Sequence, residues 1–95
     1  MLTFEWDEGK DLQNLRKHGI SFEEAKSVFA DSRARLIADP DHSADEDRFV
    51  LLGMSWKLRM LIVCHCYRRN DEVIRIISAR RAGKKEEKIY VEGRK

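Results

Sequence analysis

The sequence predicts an α+β domain, with two N-terminal helices packed on a mainly antiparallel β-sheet and a third helix near the C-terminus. Helix signals are concentrated before residue 31. Residues 34–80 instead contain four apolar, β-branched segments with short connections, which imply antiparallel neighbours. A helical spacing returns after Gly83. Since the chain has 95 residues, we expect a single domain, 1–95.

The first helix is marked by signals at both ends. Asp7 is a good N-cap, and its charge favours the positive end of the helix dipole. Leu12 and Leu15 supply an apolar face, and Gly19 is a typical residue at which a helix ends. We therefore expect a helix over residues 8–18 that buries its two leucines.

The second helix begins at a capping box, Ser21-Phe22-Glu23-Glu24. In this motif Ser21 is the N-cap and the Glu24 side chain reaches back toward it. The helix is expected to end near Asp31. Its apolar residues predict one buried face, made of Phe22, Ala25, Val28 and Phe29.

Short segments rich in β-branched or aromatic residues predict the strands: 2–6, 34–38, 48–54, 59–67 and 73–80. The last four form a meander whose connections are the acidic loop 39–47, the turn Ser55-Trp56-Lys57 and the turn Arg69-Asn70-Asp71. In strand 59–67, alternation puts two sets on opposite faces. Met60, Ile62, Cys64, Cys66 and Arg68 make the more continuous apolar set, so we expect that face to meet the helices. Arg59, Leu61, Val63, His65 and Tyr67 would then occupy the other face.

Cys64 and Cys66 predict buried reduced thiols. Alternation places them on one face of a strand, roughly 6.5–7 Å apart, which is poor disulfide geometry. His65 points to the opposite face, so the three do not form a chelate. The acidic loop 39–47 could suggest a divalent cation, but it lacks the glycine and ligand spacing of a calcium loop, and a solvated hairpin loop is favoured. We therefore expect no metal and no cofactor.

The same features predict the cell compartment. Reduced thiols fit a reducing cytoplasm. The N-terminus carries no signal-peptide or lipidation motif, and the longest apolar stretch is too short to span a membrane. We expect a cytoplasmic protein that does not bind membranes.

Charge is distributed unevenly along the chain. The net charge is only +2, yet residues 75–95 contain eight Lys or Arg against three Glu, and residues 31–47 contain six Asp or Glu against two Arg. Such asymmetry predicts a basic working face of the kind that binds nucleic acid. The alternative is a solvated helix face on which the charges cluster by chance.

Several polar residues could carry chemistry, and each has a structural alternative. His65 could act as an acid or base, or it could be a hydrogen-bonding histidine on a half-exposed face. His18 could act in catalysis, although capping its helix as a cation is slightly favoured. Glu86 and Tyr90 are helical neighbours that could move protons, or they could be a capping glutamate and a core tyrosine. Arg80 could clamp a phosphate through two hydrogen bonds, or it could simply be exposed at a strand end.

Several blocks of the sequence resemble the BrnT family of bacterial toxins. The first are Phe4-Glu5-Trp6-Asp7 and the run Asn14-Leu15-Arg16-Lys17-His18-Gly19-Ile20-Ser21-Phe22-Glu23-Glu24-Ala25. Asp41-His42-Ser43, Arg48-Phe49 and Gly53-Met54-Ser55 follow in order. The clearest block is Ile74-Arg75-Ile76-Ile77-Ser78-Ala79-Arg80-Arg81-Ala82, with Glu86 and Tyr90 at the expected offsets. The resemblance covers nearly the whole chain. One departure is Trp56-Lys57-Leu58, where the family often has a glycine-containing turn.

The resemblance implies a RelE-like ribonuclease fold and the toxin half of a type II toxin–antitoxin pair. Such a toxin cleaves RNA without a metal ion and inhibits translation. Its antitoxin would be a ribbon-helix-helix protein, through which the complex binds and represses its own operon. The alternative is a non-catalytic binding module that acts with the antitoxin as a co-repressor.

The resemblance also implies site residues. The catalytic set is Arg80, Glu86, Tyr90, His65, Lys17 and His18. The set expected to bind RNA is Arg48 and Arg81, which lie in matching blocks, together with Arg59, Lys84 and Lys85, whose positive charges suit a phosphate backbone.

Overall fold

A computed structural model describes residues 2–38 and 48–93. The elements are, in order, β1 (Thr3–Glu5), α1 (Glu8–His18), α2 (Phe22–Ser27), a short 3-10 helix (Val28–Ala30), β2 (Arg35–Ile37), β3 (Phe49–Met54), β4 (Met60–Arg68), β5 (Val73–Arg81) and α3 (Lys84–Glu92). The α+β prediction is thus confirmed. The acidic loop 39–47, including the Asp41-His42-Ser43 block, lies outside the described residues.

The sheet has five strands in the order β1-β5-β4-β3-β2. Strands β2 to β5 form the antiparallel meander that the short connections predict. β1 adds a fifth strand parallel to β5, but it pairs only with Val73–Arg75. The rest of that edge of β5, from residue 76 to 81, has no strand partner in the described part of the chain. The sheet is therefore mixed, and one edge of β5 is left for other groups to cover.

Helices cover both faces of this sheet. On one face α1 and α2 pack over a core that joins Ile20, Phe22, Ala25 and Val28 to Leu51, Leu61, Val63, Ile76 and Ala79. On the other face α3 brings Tyr90 against Val50, Leu52 and Ile62. We call these the helix-pair face and the α3 face. None of the helices in the described ranges is long and apolar enough to cross a membrane.

The two faces of β4 are the reverse of the prediction. Leu61 and Val63 pack under the helix pair, and His65, on the same face, is fully buried. Met60 and Ile62 instead face α3. The prediction was wrong because both faces of this central strand are apolar, and the continuity of one face does not tell which helices cover it.

Two details of the helices also differ from expectation. Leu12 and Leu15 are 52% and 46% exposed, and the buried residue of α1 is Asn14. Ser21 does cap α2, accepting a hydrogen bond from the Glu24 backbone N–H at 3.1 Å. The Glu24 carboxylate does not complete the capping box, because it is buried and accepts hydrogen bonds from Ser55 and Arg59. Tertiary contacts outweigh the local pattern at both places.

Candidate active site at the basic end of the sheet

The end of α1, the start of β4 and the end of β5 lie close together at one end of the sheet. The Arg59 guanidinium, just before β4, donates to the carbonyl of Gly19, the residue that caps the end of α1, over 3.2 Å. Leu61, two residues later, lies opposite Arg81 in β5, and the Ala82 N–H donates to the Met60 carbonyl at 2.9 Å. The basic residues gathered there define what we call the basic end: Lys17, His18, Arg59, Arg80, Arg81, Lys84 and Lys85.

A polar cleft opens between α1 and the unpaired edge of β5. Asn14 takes the place of a strand partner: its amide donates to the Ala79 carbonyl at 2.8 Å and accepts from the Ala79 N–H at 3.1 Å. It also donates to the Ile20 carbonyl at 2.9 Å. The cleft beside it has a volume of about 260 Å³ and is lined by Lys10, Gln13, Asn14, Lys17, His18, Ile77 and Ser78. Two predicted site residues, Lys17 and His18, therefore share one concave surface.

Arg80 and Glu86 come together on the α3 face. Arg80 lies opposite Ile62 in the sheet, and its guanidinium is 3.7 Å from a Glu86 carboxylate oxygen. It also donates to the Arg81 carbonyl at 3.1 Å. The same oxygen of Glu86 accepts from the Gly83 N–H at 2.6 Å, which caps the start of α3. Glu86 is thus the helix cap that was one of its two expected roles, and it also holds Arg80.

Tyr90 is part of the core. Its ring is buried among the apolar residues of the α3 face, and its hydroxyl donates to Asp31 at 2.8 Å. Burial raises the pKa of Asp31, but hydrogen bonds from the Met54 and Arg33 backbones and from Tyr90 outweigh it, so the pKa is below its usual value. Although Tyr90 is one turn from Glu86, its hydroxyl is engaged by Asp31.

His65 is enclosed by aromatic rings. Phe29, Phe49 and Tyr67 lie 4.9, 6.1 and 5.4 Å from its ring, centroid to centroid. Its Nδ1 is 3.1 Å from the Val63 carbonyl, and its Nε2 has no hydrogen-bond partner among the described residues. Burial lowers the pKa of His65, and the contact with Val63 only partly opposes this effect. The expectation that His65 lies on an open face of the sheet is wrong.

Arg59, one residue of the basic end, forms an ion pair with the buried Glu24. Its guanidinium donates twice to the buried Glu24 carboxylate, which also accepts from the Ser55 hydroxyl at 2.7 Å. Burial raises the pKa of Glu24, but the bonds from Arg59 and Ser55 hold it below its usual value. The pKa of Arg59 is raised in turn. Most of the donors of Arg59 are therefore committed within the protein.

Arg48 is separated from the other expected RNA ligands. It precedes β3, whose first residue, Phe49, lies opposite His65, whereas Met54 at the other end of β3 lies opposite Met60. The length of β3 thus puts Arg48 about 20 Å from the basic end. Arg81, Lys84 and Lys85 are exposed at the basic end itself.

Five of the residues that line the cleft were not among the site residues expected from the sequence: Lys10, Gln13, Asn14, Ile77 and Ser78. No local signal separates Asn14 from Gln13, since both lie between Leu12 and Leu15 in α1. Within residues 2–38 and 48–93, no three His, Cys, Asp or Glu side chains are grouped so as to hold a metal ion.

Comparisons with known proteins identify the family. A family model described as "Ribonuclease toxin, BrnT, of type II toxin-antitoxin system" matches residues 6–86. The crystal structure of the Brucella abortus ribonuclease toxin BrnT superposes with a TM-score of 0.68 at 23% identity, covering 88% of this chain and all of that one, so the two share a fold. No curated protein matches the sequence. The chain therefore belongs to the BrnT family of ribonuclease toxins of type II toxin–antitoxin systems.

Proposed function

We propose that this chain is a RelE-like endoribonuclease that cleaves RNA without a metal ion, inhibits translation, and is neutralised by a ribbon-helix-helix antitoxin. The observation that carries the proposal is the position of the α1–β5 cleft. It holds an imidazole and two ammonium groups, and its β5 residues, Ile77 and Ser78, precede Arg80 and Arg81 by only two to four positions in the strand that leads to Lys84 and Lys85. Cations in that arrangement suit a phosphate backbone.

The proposed reaction uses the RNA's own 2′-hydroxyl as nucleophile. Its oxygen bonds to the adjacent phosphorus, its proton passes to His18, and the bond from phosphorus to the 5′-oxygen breaks. The leaving 5′-oxygen takes a proton from water, to which His18 then returns the proton it accepted, and the products end in a 2′,3′-cyclic phosphate and a 5′-hydroxyl. Lys17 and the basic end stabilise the extra negative charge on the phosphoryl oxygens in the transition state.

His18 takes the acid–base role because the alternatives are engaged elsewhere. Tyr90 binds Asp31 in the core, Glu86 caps α3 and holds Arg80, and His65 is sealed from solvent. His18 lines the cleft on the last turn of α1, and an imidazole changes charge nearest to neutral pH of all side chains. We assign Glu86 as a positioning residue for Arg80.

The first experiment measures cleavage of a purified RNA with purified toxin. We expect cleavage to survive excess EDTA and to yield 2′,3′-cyclic phosphate ends. His18→Gln should lower the rate about 10²–10⁴-fold, since a positioned acid or base contributes that much. Lys88→Ala, at an exposed lysine of α3 remote from the cleft, is the charge control. Activity lost in EDTA and restored by magnesium would refute the proposed chemistry.

A second experiment separates the two arginines of β5. Arg80→Ala should remain folded and lose about 10²–10³ in rate, the cost of removing one preorganised charge-stabilising donor. Arg80 and Arg81 lie on opposite faces of the strand, so Arg81→Ala is its matched comparison. A folded, fully toxic Arg80→Ala beside an inactive Arg81→Ala would assign the phosphate contact to Arg81, which lies on the helix-pair face, and would refute the role proposed for Arg80.

The antitoxin is proposed to cover the basic end. A segment rich in Asp or Glu would pair with its cations, and such an interface weakens as salt rises. Operator DNA would be bound through the antitoxin. Hydrogen exchange of the complex should show protection at residues 17–19 and 80–85. Protection restricted to residues 39–47 would place the antitoxin elsewhere.

One observation favours the alternative of a non-catalytic co-repressor. Glu86, Tyr90 and His65, half of the predicted catalytic set, have structural contacts that explain their presence without chemistry. Induction of the chain without its antitoxin distinguishes the two functions. We expect growth arrest, with His18→Gln abolishing it; normal growth with the wild-type chain would favour the co-repressor.

A further inference from the structure

The turn between β3 and β4 presents two large apolar side chains to solvent. Trp56 is 66% exposed and Leu58 is 82% exposed, the highest value among the large apolar residues of residues 2–38 and 48–93. Lys57 lies between them, with its ammonium nitrogen 5.2 Å from the centroid of the indole ring. A short turn ordinarily carries polar residues and glycine, so these side chains need a reason.

The turn is held rigidly from below. The Ser55 N–H donates to the Arg59 carbonyl at 2.8 Å, and the Leu58 N–H donates to the Ser55 carbonyl at 2.9 Å. The Trp56 N–H reaches across to the Ser27 hydroxyl at 2.9 Å. Under the turn lies the ion pair of Glu24 and Arg59. The indole is therefore carried on a fixed backbone.

The conformation of the turn has a cost. Leu58 adopts a φ of 60°, in the left-handed region that glycine occupies without strain. For another L-residue that region costs roughly 1–2 kcal/mol. Burying the Glu24 carboxylate is also expensive unless every bond to it is made. A fold that needed only a tight connection could use glycine here and leave no apolar side chain in solvent.

The turn lies at the basic end. Trp56 is three residues from Arg59, a span of at most about 11 Å, and Arg59 contacts the Gly19 carbonyl next to His18. On the other side, Arg59 is two residues from Leu61, the partner of Arg81 across the sheet. The exposed indole thus shares one end of the molecule with the cleft and with the cations proposed to bind the RNA backbone.

From this juxtaposition we infer that Trp56 is a stacking platform for an unpaired base of the RNA substrate. The inference rests on the proposed ribonuclease function and adds a residue that binds substrate. Lys57 lies over one face of the indole, and the base stacks on the remaining exposed face. Proteins that hold single strands combine aromatic platforms with a basic track in this way. An RNA base can stack on the flat indole ring while the phosphates on either side of it pair with the nearby cations.

The experiment measures binding of a short single-stranded RNA whose 2′-hydroxyls are all methylated, so that it cannot be cleaved by the proposed route. Trp56→Ala should raise the Kd about 5- to 150-fold, the range that corresponds to loss of one stacked base. Trp56→Phe should keep most of the affinity. The matched control is Leu2→Ala, because Leu2 is 53% exposed but precedes β1, which pairs with the opposite end of β5.

Salt dependence separates stacking from charge. Lys85→Ala should lower the slope of log Kd against log salt by about 0.7, the value for one phosphate contact on a single strand. Trp56→Ala should leave that slope unchanged. Its effect should also vanish on an RNA of the same length that carries only abasic sugars, because no base remains to stack.

Failure of the stacking platform and failure of the proposed ribonuclease function give different results. If the wild-type chain neither binds nor cleaves RNA, both proposals fall. If it binds and cleaves while Trp56→Ala binds as tightly as wild type, only the platform is wrong. In that second case, sedimentation experiments test whether the wild type self-associates. If it does and Trp56→Ala does not, the turn contacts a second copy of the chain.

Discussion

Replacing Asn14 by alanine should destabilise the fold far more than a substitution on an otherwise exposed helix suggests. Asn14 makes three hydrogen bonds at 2.8–3.1 Å, two of them to Ala79 and one to Ile20. Each is worth about 1 kcal/mol net, and buried backbone groups left without a partner cost more. Since water from the adjacent cleft can reach some of these groups, we expect a loss of about 2–4 kcal/mol.

The measurement is urea denaturation of Asn14→Ala beside Gln13→Ala. Gln13 neighbours Asn14 and lines the same cleft, but it is exposed. Its substitution should change the free energy of unfolding by less than about 0.5 kcal/mol. For a domain of this size, the loss expected for Asn14→Ala lowers Tm by roughly 10–25 °C.

The same variant tests how the cleft is held. If Asn14 fixes α1 against β5, then Asn14→Ala should slow RNA cleavage even where it is still folded, because Lys17 and His18 lose their position. A substitution that costs less than 1 kcal/mol would show that packing of α2, rather than this amide, attaches α1 to the sheet. The hydrogen bonds between Asn14 and the edge of β5 would then contribute little to the position of α1.

Three further substitutions test the assignments of buried and strained residues. Tyr90→Phe should cost about 1.5–3 kcal/mol, since it removes a hydrogen bond to the ionised Asp31, yet cleavage measured at 25 °C should stay within about threefold of wild type. Because burial lowers the pKa of His65 in the folded state, the unfolded chain binds a proton at this residue more readily. The free energy of unfolding should therefore fall as pH drops below about 6.5, by at most about 1.4 kcal/mol per pH unit. Denaturation at pH 7.5, 6.5 and 5.5 measures this slope, and His65→Phe should remove the part that His65 contributes. Leu58→Gly should raise the free energy of unfolding by about 0.5–1 kcal/mol, because relief of the left-handed strain exceeds the added chain entropy, and an unchanged or lower value would contradict the strain.

The local elements were predictable because their signals are local. Asp7 and Gly19 cap α1 as expected, with a hydrogen bond from the Lys10 N–H to Asp7 at 3.0 Å and a φ of 73° at Gly19. The short connections likewise predicted the antiparallel meander. Each of these features depends on residues only a few positions apart.

The sequence did not show which distant residues each polar side chain contacts in the folded protein. Glu24 looked like half of a capping box, but its charge is used by Arg59, 35 positions away. Asn14 looked like an ordinary helix residue until it met Ala79, 65 positions away. Short-range patterns identify what a side chain can do, whereas burial and long-range pairing decide which of those capacities it uses.

The distribution of polar roles follows from the layout of the sheet. Helices cover both faces, so a titratable side chain in the middle of a strand, such as His65, becomes part of the core and is kept neutral by burial. Side chains that can contact a solvated polyanion lie instead at the edges of the sheet, where strands and helices end. At the basic end, α1 contributes Lys17 and His18, β5 contributes its terminal arginines, and α3 begins with two lysines. The C-terminal charge surplus therefore marks the surface at which RNA binding is proposed, whereas the histidine in the centre of β4 belongs to the core.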